Sequence, residues 1–376
     1  MQVFHCDHCD QLVFFENVQC VRCGHALAFL PDLEIMGSLE DAGDGRWHSP
    51  LPETKGKRYR LCANYREQNV CNWAVPDDDD HDLCASCRLT RVIPDLAAPG
   101  NKEAWYKLEV AKRRLTHTLL RLRLPLRNKT DDPEHGLAFE FKADPPPDAN
   151  GVVATVLTGH ADGVITINIV EADDAERERR RLQHHEPYRT LLGHFRHEVG
   201  HYYWDRLIRD TEHLAGYREL FGNEEQDYAA ALQRHYDQGP DPNWQTRCIS
   251  AYASVHPWED WAETWAHYLH MVDAVETAHS CGLNISPRRK DEPALKTTDT
   301  ALKRFDRMLN SWHSLTYVLN NLNRSLGMAD PYPFVLSPPA VSKLRFVHDT
   351  VKSGMSDTTT ESWLSFLDLK KLLLLF

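Results

Sequence analysis

Leu191–Trp204 reads LLGHFRHEVGHYYW, and within it His197-Glu198-Val199-Gly200-His201 forms an H-E-x-x-H pattern between apolar flanks. On a helix, positions i and i+4 project from one face a turn apart. His197 and His201 then offer two imidazole nitrogens to one ion at about 2.0 Å, with Glu198 beside them. Zinc lowers the pKa of its water ligand toward 7, and Glu198 is the base that would take the proton as that water attacks a polarised carbonyl. The chain holds 21 histidines in 376 residues, so a chance match is the competing reading and the surroundings must decide. Phe195, Val199, Tyr202, Tyr203 and Trp204 make the segment apolar, where an ionisable side chain is rarely buried without a partner. Gly200 in a helix interior costs about 1 kcal/mol relative to alanine and points to close packing beside the metal.

Such a zinc site needs a third protein ligand. The metzincin pattern would place a histidine six residues after His201, where Leu207 stands, so that class is excluded. Asp205 shares the helix face and is a minor candidate. The stronger one lies in HPWEDWAETWAHYLH, residues 256–270, where Glu259, Glu263 and His267 fall at i, i+4 and i+8. A carboxylate on a second helix facing the first completes a two-His-one-Glu set. Asp260, one residue of helix phase away, competes with Glu259. His194 reads as a supporting or surface residue, and His256 and His267 as capping, solvated or substrate-contacting ones.

Eight of the ten cysteines precede residue 88. Cys6, Cys9, Cys20 and Cys23 form two C-x-x-C knuckles, with Gly24 suited to the tight turn after the second, and together they predict a structural zinc ribbon. Cys62, Cys71, Cys84 and Cys87 are spaced less regularly and predict a second structural zinc, against a reading as packed reduced thiols. Four thiolates leave no open position, so neither site is expected to be catalytic. The acidic run Asp77–Asp80 reads as a solvated loop.

A linker rich in Pro and Gly over RVIPDLAAPGN ends this part. The expected organisation is α+β: a small Cys-rich zinc-ribbon domain over 1–92, a mainly helical zincin-like domain with a small sheet over 101–350, and an unassigned tail over 351–376. A helix is expected from Asn101 to just before Pro125, with Trp105, Leu108, Val110, Leu115, Leu119 and Leu122 as its apolar residues. FEFKAD reads as a short strand. Val152, Val153 and Val156 mark another, a turn falls at His160–Gly163, and Val164–Val170 forms the next with an isoleucine face inward. Further helices are expected through LAGYRELFGNEEQDYAAALQRHYDQG, from near Pro257, and over roughly 297–325.

HEVGH followed by YASVHPWEDWAETWAHY resembles the gluzincin pattern, in which a tyrosine precedes an E-x-x-A-E helix. The resemblance implies Glu259 as zinc ligand, Glu263 as the carboxylate that orients a histidine ligand, and Tyr252 as donor to the oxyanion. From residue 1 to about 350 the chain, with its C-x-x-C pairs, DYAAALQRHY and DPYPFVLSPPAVSKLRFVHD, resembles the bacterial zinc-binding metallopeptidases that carry an N-terminal zinc ribbon. A zinc-dependent peptidase is therefore expected, with one catalytic zinc and one or two structural ones. The strand upstream of the H-E-x-x-H helix lies where zincins pair an extended chain, which makes a polypeptide the expected substrate.

A non-catalytic zinc adaptor or nucleic-acid-binding ribbon protein is the competing class, and intact Glu198 argues against it. A zinc amidohydrolase acting on a non-peptide amide shares the same metal chemistry. A net charge of −12 and few basic–aromatic clusters argue against nucleic acid as a partner and leave a protein contact or a purely structural role for the ribbon. The chain opens without a basic or apolar leader pattern and holds no apolar run near the roughly 20 residues a membrane span needs, so a cytoplasmic location without membrane partners is expected.

Overall fold

The computed structural model describes residues 2–151, 153–183, 190–296 and 304–357. It divides into two compact units, one comprising chiefly residues 3–158 and the other chiefly 170–352, with 159–165 belonging to the second and 166–169 to the first.

The first unit begins with a short antiparallel pair, β1 (Phe4–His5) and β2 (Leu12–Val13), which carries the first knuckle between its strands. An antiparallel meander follows in the order β3 (Ala26–Leu30), β4 (Ile35–Gly43), β5 (Arg46–His48), β6 (Arg58–Leu61) and β7 (Ala74–Pro76). The β4–β5 turn is Gly43-Asp44-Gly45, all three at positive φ, which two glycines make inexpensive. Phe29 bridges Trp73, so β3 returns to the start of β7 and the sheet curls around Leu30, Leu39, Tyr59 and Ala74. A single turn, α1 (Ala63–Arg66), stands between β6 and β7, and strand β8 (Thr90–Val92) follows the meander.

Helix α2 (Asn101–Arg121) packs within this same unit. Trp105, Leu108, Leu115 and Leu119 are buried as their spacing predicts, but so are Glu109, Lys112, Arg113 and His117. The sequence pattern alone would leave these four in water. Each is accounted for by a partner: Arg113 donates to the Val70 carbonyl, and the His117 ring lies 5.2 Å from Phe15 and 5.5 Å from Phe29. Glu109 accepts from Thr90 Oγ1 at 2.8 Å, Trp105 Nε1 at 3.2 Å and Lys112 Nζ at 2.9 Å. A buried charge is tolerated when it is paired and hydrogen-bonded in this way.

Strand β9 (Ala138–Lys142) pairs in parallel with β8, and β11 (Val164–Asn168) lies on its other side with β10 (Gly159–Ala161) at the edge. The upstream strand of this hairpin falls later than expected. Val153–Thr158 form no strand, Val152 lies outside the described residues, and the turn is Asp162-Gly163. Ile165 and Ile167 are fully buried, whereas Ile169 opens a 3₁₀ turn and is half-buried, so the isoleucine face stops at two residues.

The second unit is helical: α3 (Asp174–Gln183), α4 (Leu191–Leu207), α5 (His213–Phe221), α6 (Tyr228–Gln238), α7 (Pro257–Ser280), α8 (Phe305–Ser325) and α9 (Pro338–Asp357). Thr190 caps α4 by accepting from Gly193 N at 2.9 Å, and His256 caps α7 by accepting from Trp258 N through Nδ1 at 3.1 Å. Helices α4 and α7 meet at Gly200, where a Cβ would stand 3.1 Å from Ala262 Cα and 3.2 Å from the Trp265 ring. The close approach expected at that glycine is therefore a helix–helix contact. Trp261 Nε1 donates to the Gly200 carbonyl at 2.9 Å, and Tyr203 stacks on Trp265 with centroids 4.9 Å apart. Phe195, Val199, Tyr203, Trp261, Trp265 and Leu269 are all fully buried. Each such apolar side chain contributes about 1.5–3 kcal/mol of transfer free energy, which makes this contact a main source of the unit's stability. Of the expected tail over 351–376, residues 351–357 complete α9 and 358–376 lie outside the described residues. No helix among the described residues is long and apolar enough to cross a membrane.

Candidate metal centre

Helix α4 aims His197 and His201 at α7, and their Nε2 atoms lie 3.2 Å apart. Glu259, in the first turn of α7, places Oε2 3.0 Å from His197 Nε2 and 3.5 Å from His201 Nε2. All three side chains are buried. That Glu259 oxygen has no hydrogen-bond partner among the described residues although two ring nitrogens face it. A buried carboxylate oxygen is rarely left so. An ion bound at about 2.0–2.1 Å in a tetrahedron sets its ligand atoms about 3.3–3.4 Å apart, so the three donors fit a zinc-sized cation.

The supporting contacts fix which atoms face inward. His197 Nδ1 donates to Glu263 Oε1 at 2.7 Å, which leaves Nε2 as the lone-pair nitrogen, and Glu263 Oε2 accepts from Ser250 Oγ at 2.6 Å. Tyr228 Oη donates to Glu259 Oε1 at 2.7 Å. The Trp258 ring lies over His201 with centroids 3.8 Å apart. Burial works against charge on both His197 and Glu259. With no cation between them, Glu259 and Glu263 outweigh it and hold the histidine well above its ordinary pKa, while His201 and His197 hold the Glu259 carboxyl well below the usual carboxylate range; an ion on Nε2 takes the proton's place.

Glu198 follows His197 on α4 and is buried, with Oε1 3.2 Å from His194 Nε2. His194 Nδ1 lies 3.6 Å from Glu171 Oε2, and Glu171 is fully buried. Burial opposes the charge on His194, but Glu171 and Glu198 outweigh it and raise its pKa to about 9. Glu198 is held below the ordinary carboxylate range, because His194 and the two other histidines overcome its burial. Strand β10 runs beside this cluster: the His160 ring is 6.3 Å from that of His201 and 6.4 Å from that of Tyr202. Tyr252 begins a 3₁₀ turn, Tyr252–Ser254, with its ring 5.9 Å from that of His197.

Other candidates stand elsewhere. Asp260 ion-pairs with Lys343 and accepts from Cys248 Sγ at 3.9 Å, and burial pushes its carboxyl up to about 6 against the pull of Lys343. Asp205 pairs with Arg209 at 2.7 Å. His267 Nδ1 is 2.8 Å from Tyr332 Oη in the core, and His256 is spent on capping, with Nε2 donating to the Gln226 carbonyl at 3.1 Å. Tyr228, Ser250, Glu171 and Trp258 were not foreseen. Asp227, which caps α6 through Ala230 N at 3.0 Å, marks the start of that helix, but no local pattern says that the next side chain reaches Glu259.

In the first unit the sulfurs of Cys6, Cys9, Cys20 and Cys23 converge, as do those of Cys62, Cys71, Cys84 and Cys87. Sγ–Sγ separations are 3.7 Å for Cys6–Cys23, 3.6 Å for Cys9–Cys20 and 3.7 Å for Cys71–Cys84. A disulfide needs about 2.05 Å, whereas four sulfurs at about 2.3 Å around zinc stand about 3.8 Å apart. The second group is buried at all four positions. Backbone N–H groups of Trp73, Cys84 and Cys87 each reach a sulfur of that group at 3.4 Å. Both groups and the His-His-Glu group thus have the donor sets of zinc sites.

Comparison with known proteins agrees. Residues 3–98 match a zinc-ribbon domain family, and residues 101–350 match the family described as "putative zinc-binding metallo-peptidase". The chain is 43% identical over 358 residues to proteins of Mycobacterium bovis and of two strains of Mycobacterium tuberculosis, each described as uncharacterized, covering 95% of this chain and 97% of theirs. No solved structure matches it. The matched span and the identity along nearly the whole length lead to one conclusion: the chain belongs to the putative zinc-binding metallo-peptidase family, with a zinc-ribbon domain at its N-terminus.

Proposed function

We propose that the protein hydrolyses peptide bonds at the His197/His201/Glu259 centre. The observation that carries this reading is a buried three-donor group with a fourth ionisable residue, Glu198, beside it on the same helix. A structural clip has no use for that carboxylate. Bound zinc would supply a Lewis acid for the scissile carbonyl and a water made acidic enough to lose a proton near neutral pH.

The chain's own residues do the rest. Glu198 takes the proton from the attacking water and passes it to the leaving amine. His194, at 3.2 Å, holds the Glu198 carboxylate in position. Tyr252 donates to the oxygen that gains charge during attack. Glu263 keeps His197 in the tautomer that presents Nε2, and Tyr228 occupies Glu259 Oε1 so that Oε2 faces the ion. The edge of β10 accepts an extended polypeptide by strand addition, with His160 marking the side nearest the centre.

The test is Glu198→Gln in the full chain, assayed for zinc content and against a peptide library. The variant keeps its zinc and loses about 10²- to 10⁴-fold in hydrolysis, the range for a general base. Unchanged hydrolysis would overturn the mechanism.

A further inference from the structure

Both knuckles of the zinc ribbon carry a histidine that the ribbon itself does not use. His8 stands inside Cys6-Asp7-His8-Cys9, and His25 follows Cys23-Gly24. The thiolates fix the two turns, and the turns bring the two rings together, with centroids 3.8 Å apart and planes 28° apart. Asp7 anchors the first knuckle: its Oδ1 accepts from Ser38 N at 2.7 Å and its Oδ2 from Ser49 Oγ at 2.9 Å. That pins His8 and His25 beside β4, where Glu40 places Oε1 4.0 Å from His25 Nε2. His48, opposite Glu40 in the β4–β5 register, sets its Nε2 3.0 Å from the other oxygen, Oε2.

One donor atom each from His8, His25 and Glu40 lies within 4.8 Å of the others. His25 Nδ1 is buried without a hydrogen-bond partner among the described residues. Two stacked imidazoles, one with a buried unpartnered nitrogen, beside a carboxylate that His48 holds from behind suit a shared cation better than contacts among themselves.

We propose that His8, His25 and Glu40 form a third metal site in the ribbon unit, distinct from both four-cysteine groups, which takes a divalent first-row transition ion. Two imidazole nitrogens and one carboxylate oxygen select zinc, nickel or copper over calcium and magnesium, which require shells of oxygen. His48 does not ligate; it holds Glu40 from behind, as carboxylate ligands are held in other metal sites. The donors are part-exposed or exposed, and water completes the coordination, so this ion exchanges while those held by four thiolates stay. Because the knuckles position both histidines, the site exists only when Cys6, Cys9, Cys20 and Cys23 hold their own ion.

The experiment is a calorimetric titration of Ni²⁺ into the full-length protein, first dialysed against a weak chelator so that only its tightly held zinc remains, and into His8→Gln, His25→Gln, Glu40→Gln and His48→Gln treated in the same way. The wild type takes up one equivalent of Ni²⁺. Removing either histidine ligand or Glu40 abolishes that equivalent without changing the zinc content. Glu40→Gln lies outside the knuckles and gives the reading if a histidine variant fails to retain its ribbon zinc. His48→Gln weakens binding about 10- to 100-fold, the usual effect of losing a group that orients a ligand. A nickel equivalent bound with equal affinity by the wild type and by Glu40→Gln, or no nickel uptake by the wild type, overturns the proposal.

Discussion

The two four-cysteine groups and the His-His-Glu group use different means to gather donors around one point. In the first unit, neighbouring sulfurs stand 3.6–3.7 Å apart, strand ends and tight turns deliver them, and backbone N–H groups support the second set. In the second unit, three donors come from two helices, and the supporting contacts come from side chains distant in sequence: Glu263, Tyr228 and Ser250. A closed sulfur tetrahedron turns the ion into a cross-link. Three donors held by side-chain partners, with Glu198 alongside, would on the proposed function leave one direction free for substrate. On that reading, donor number and the source of the supporting hydrogen bonds separate holding from reacting.

The largest effect expected from that contrast is at a sulfur. Cys84 is buried, and burial raises its thiol well above the ordinary cysteine range unless a metal takes the thiolate. Cys84→Ser lowers the zinc content by one equivalent and removes metal-linked stabilisation on the order of 10 kcal/mol. Zinc analysis with a thermal unfolding curve reads both. Full zinc and an unchanged curve would reduce the second group to packed thiols and break the contrast.

The next effect tests the scaffold of the open site. Gly200→Ala pushes a methyl group to 3.1 Å from Ala262 Cα, a backbone atom that cannot swing aside. Overpacking of this kind costs about 1–3 kcal/mol, and the better helix propensity of alanine returns about 1 kcal/mol of it, which leaves a net loss of up to about 2 kcal/mol. Chemical denaturation should show that loss, and zinc affinity at the helical centre should fall with it, because α4 and α7 each carry part of the donor set. Stability equal to wild type would mean that the helix contact is softer than its packing implies.

How much of this could be read beforehand follows the same division. The H-E-x-x-H spacing and the C-x-x-C pairs are local, and each states its geometry within a turn or two. Helix α7 was legible because Glu259 and Glu263 repeat at helical period beyond a proline, and α2 because its apolar residues recur at three and four. Cys62 and Cys71 are harder to place: they flank β6 and β7, so they meet only after the meander forms. The edge strand was put too early because valines at 152–156 carry more strand propensity than Gly159-His160-Ala161, yet pairing with β11 decides. The buried Glu109, Lys112 and Arg113 were invisible for a similar reason, since their partners lie on other elements. Tyr228 had no signal at all, standing 31 residues before the carboxylate it touches.

That tyrosine supplies the finest test of the contrast. Tyr228 Oη donates to Glu259 Oε1 at 2.7 Å, and Glu259 is buried, so Tyr228→Phe keeps the ring and deletes one hydrogen bond to one carboxylate oxygen. If Glu259 is a ligand held from behind, chelator competition will show zinc affinity at the helical centre about 10- to 100-fold weaker, while the ions of both four-cysteine groups stay as tightly bound as in the wild type. A purely structural role for Tyr228 would lower the unfolding temperature without changing the competition curve in folded protein. Unchanged affinity with unchanged stability would mean that Glu259 needs no partner to face the two histidines. The helical site would then be preset by its backbone, as the sulfur sites are, and the proposed division between backbone-held and side-chain-held metal centres would fail in this protein.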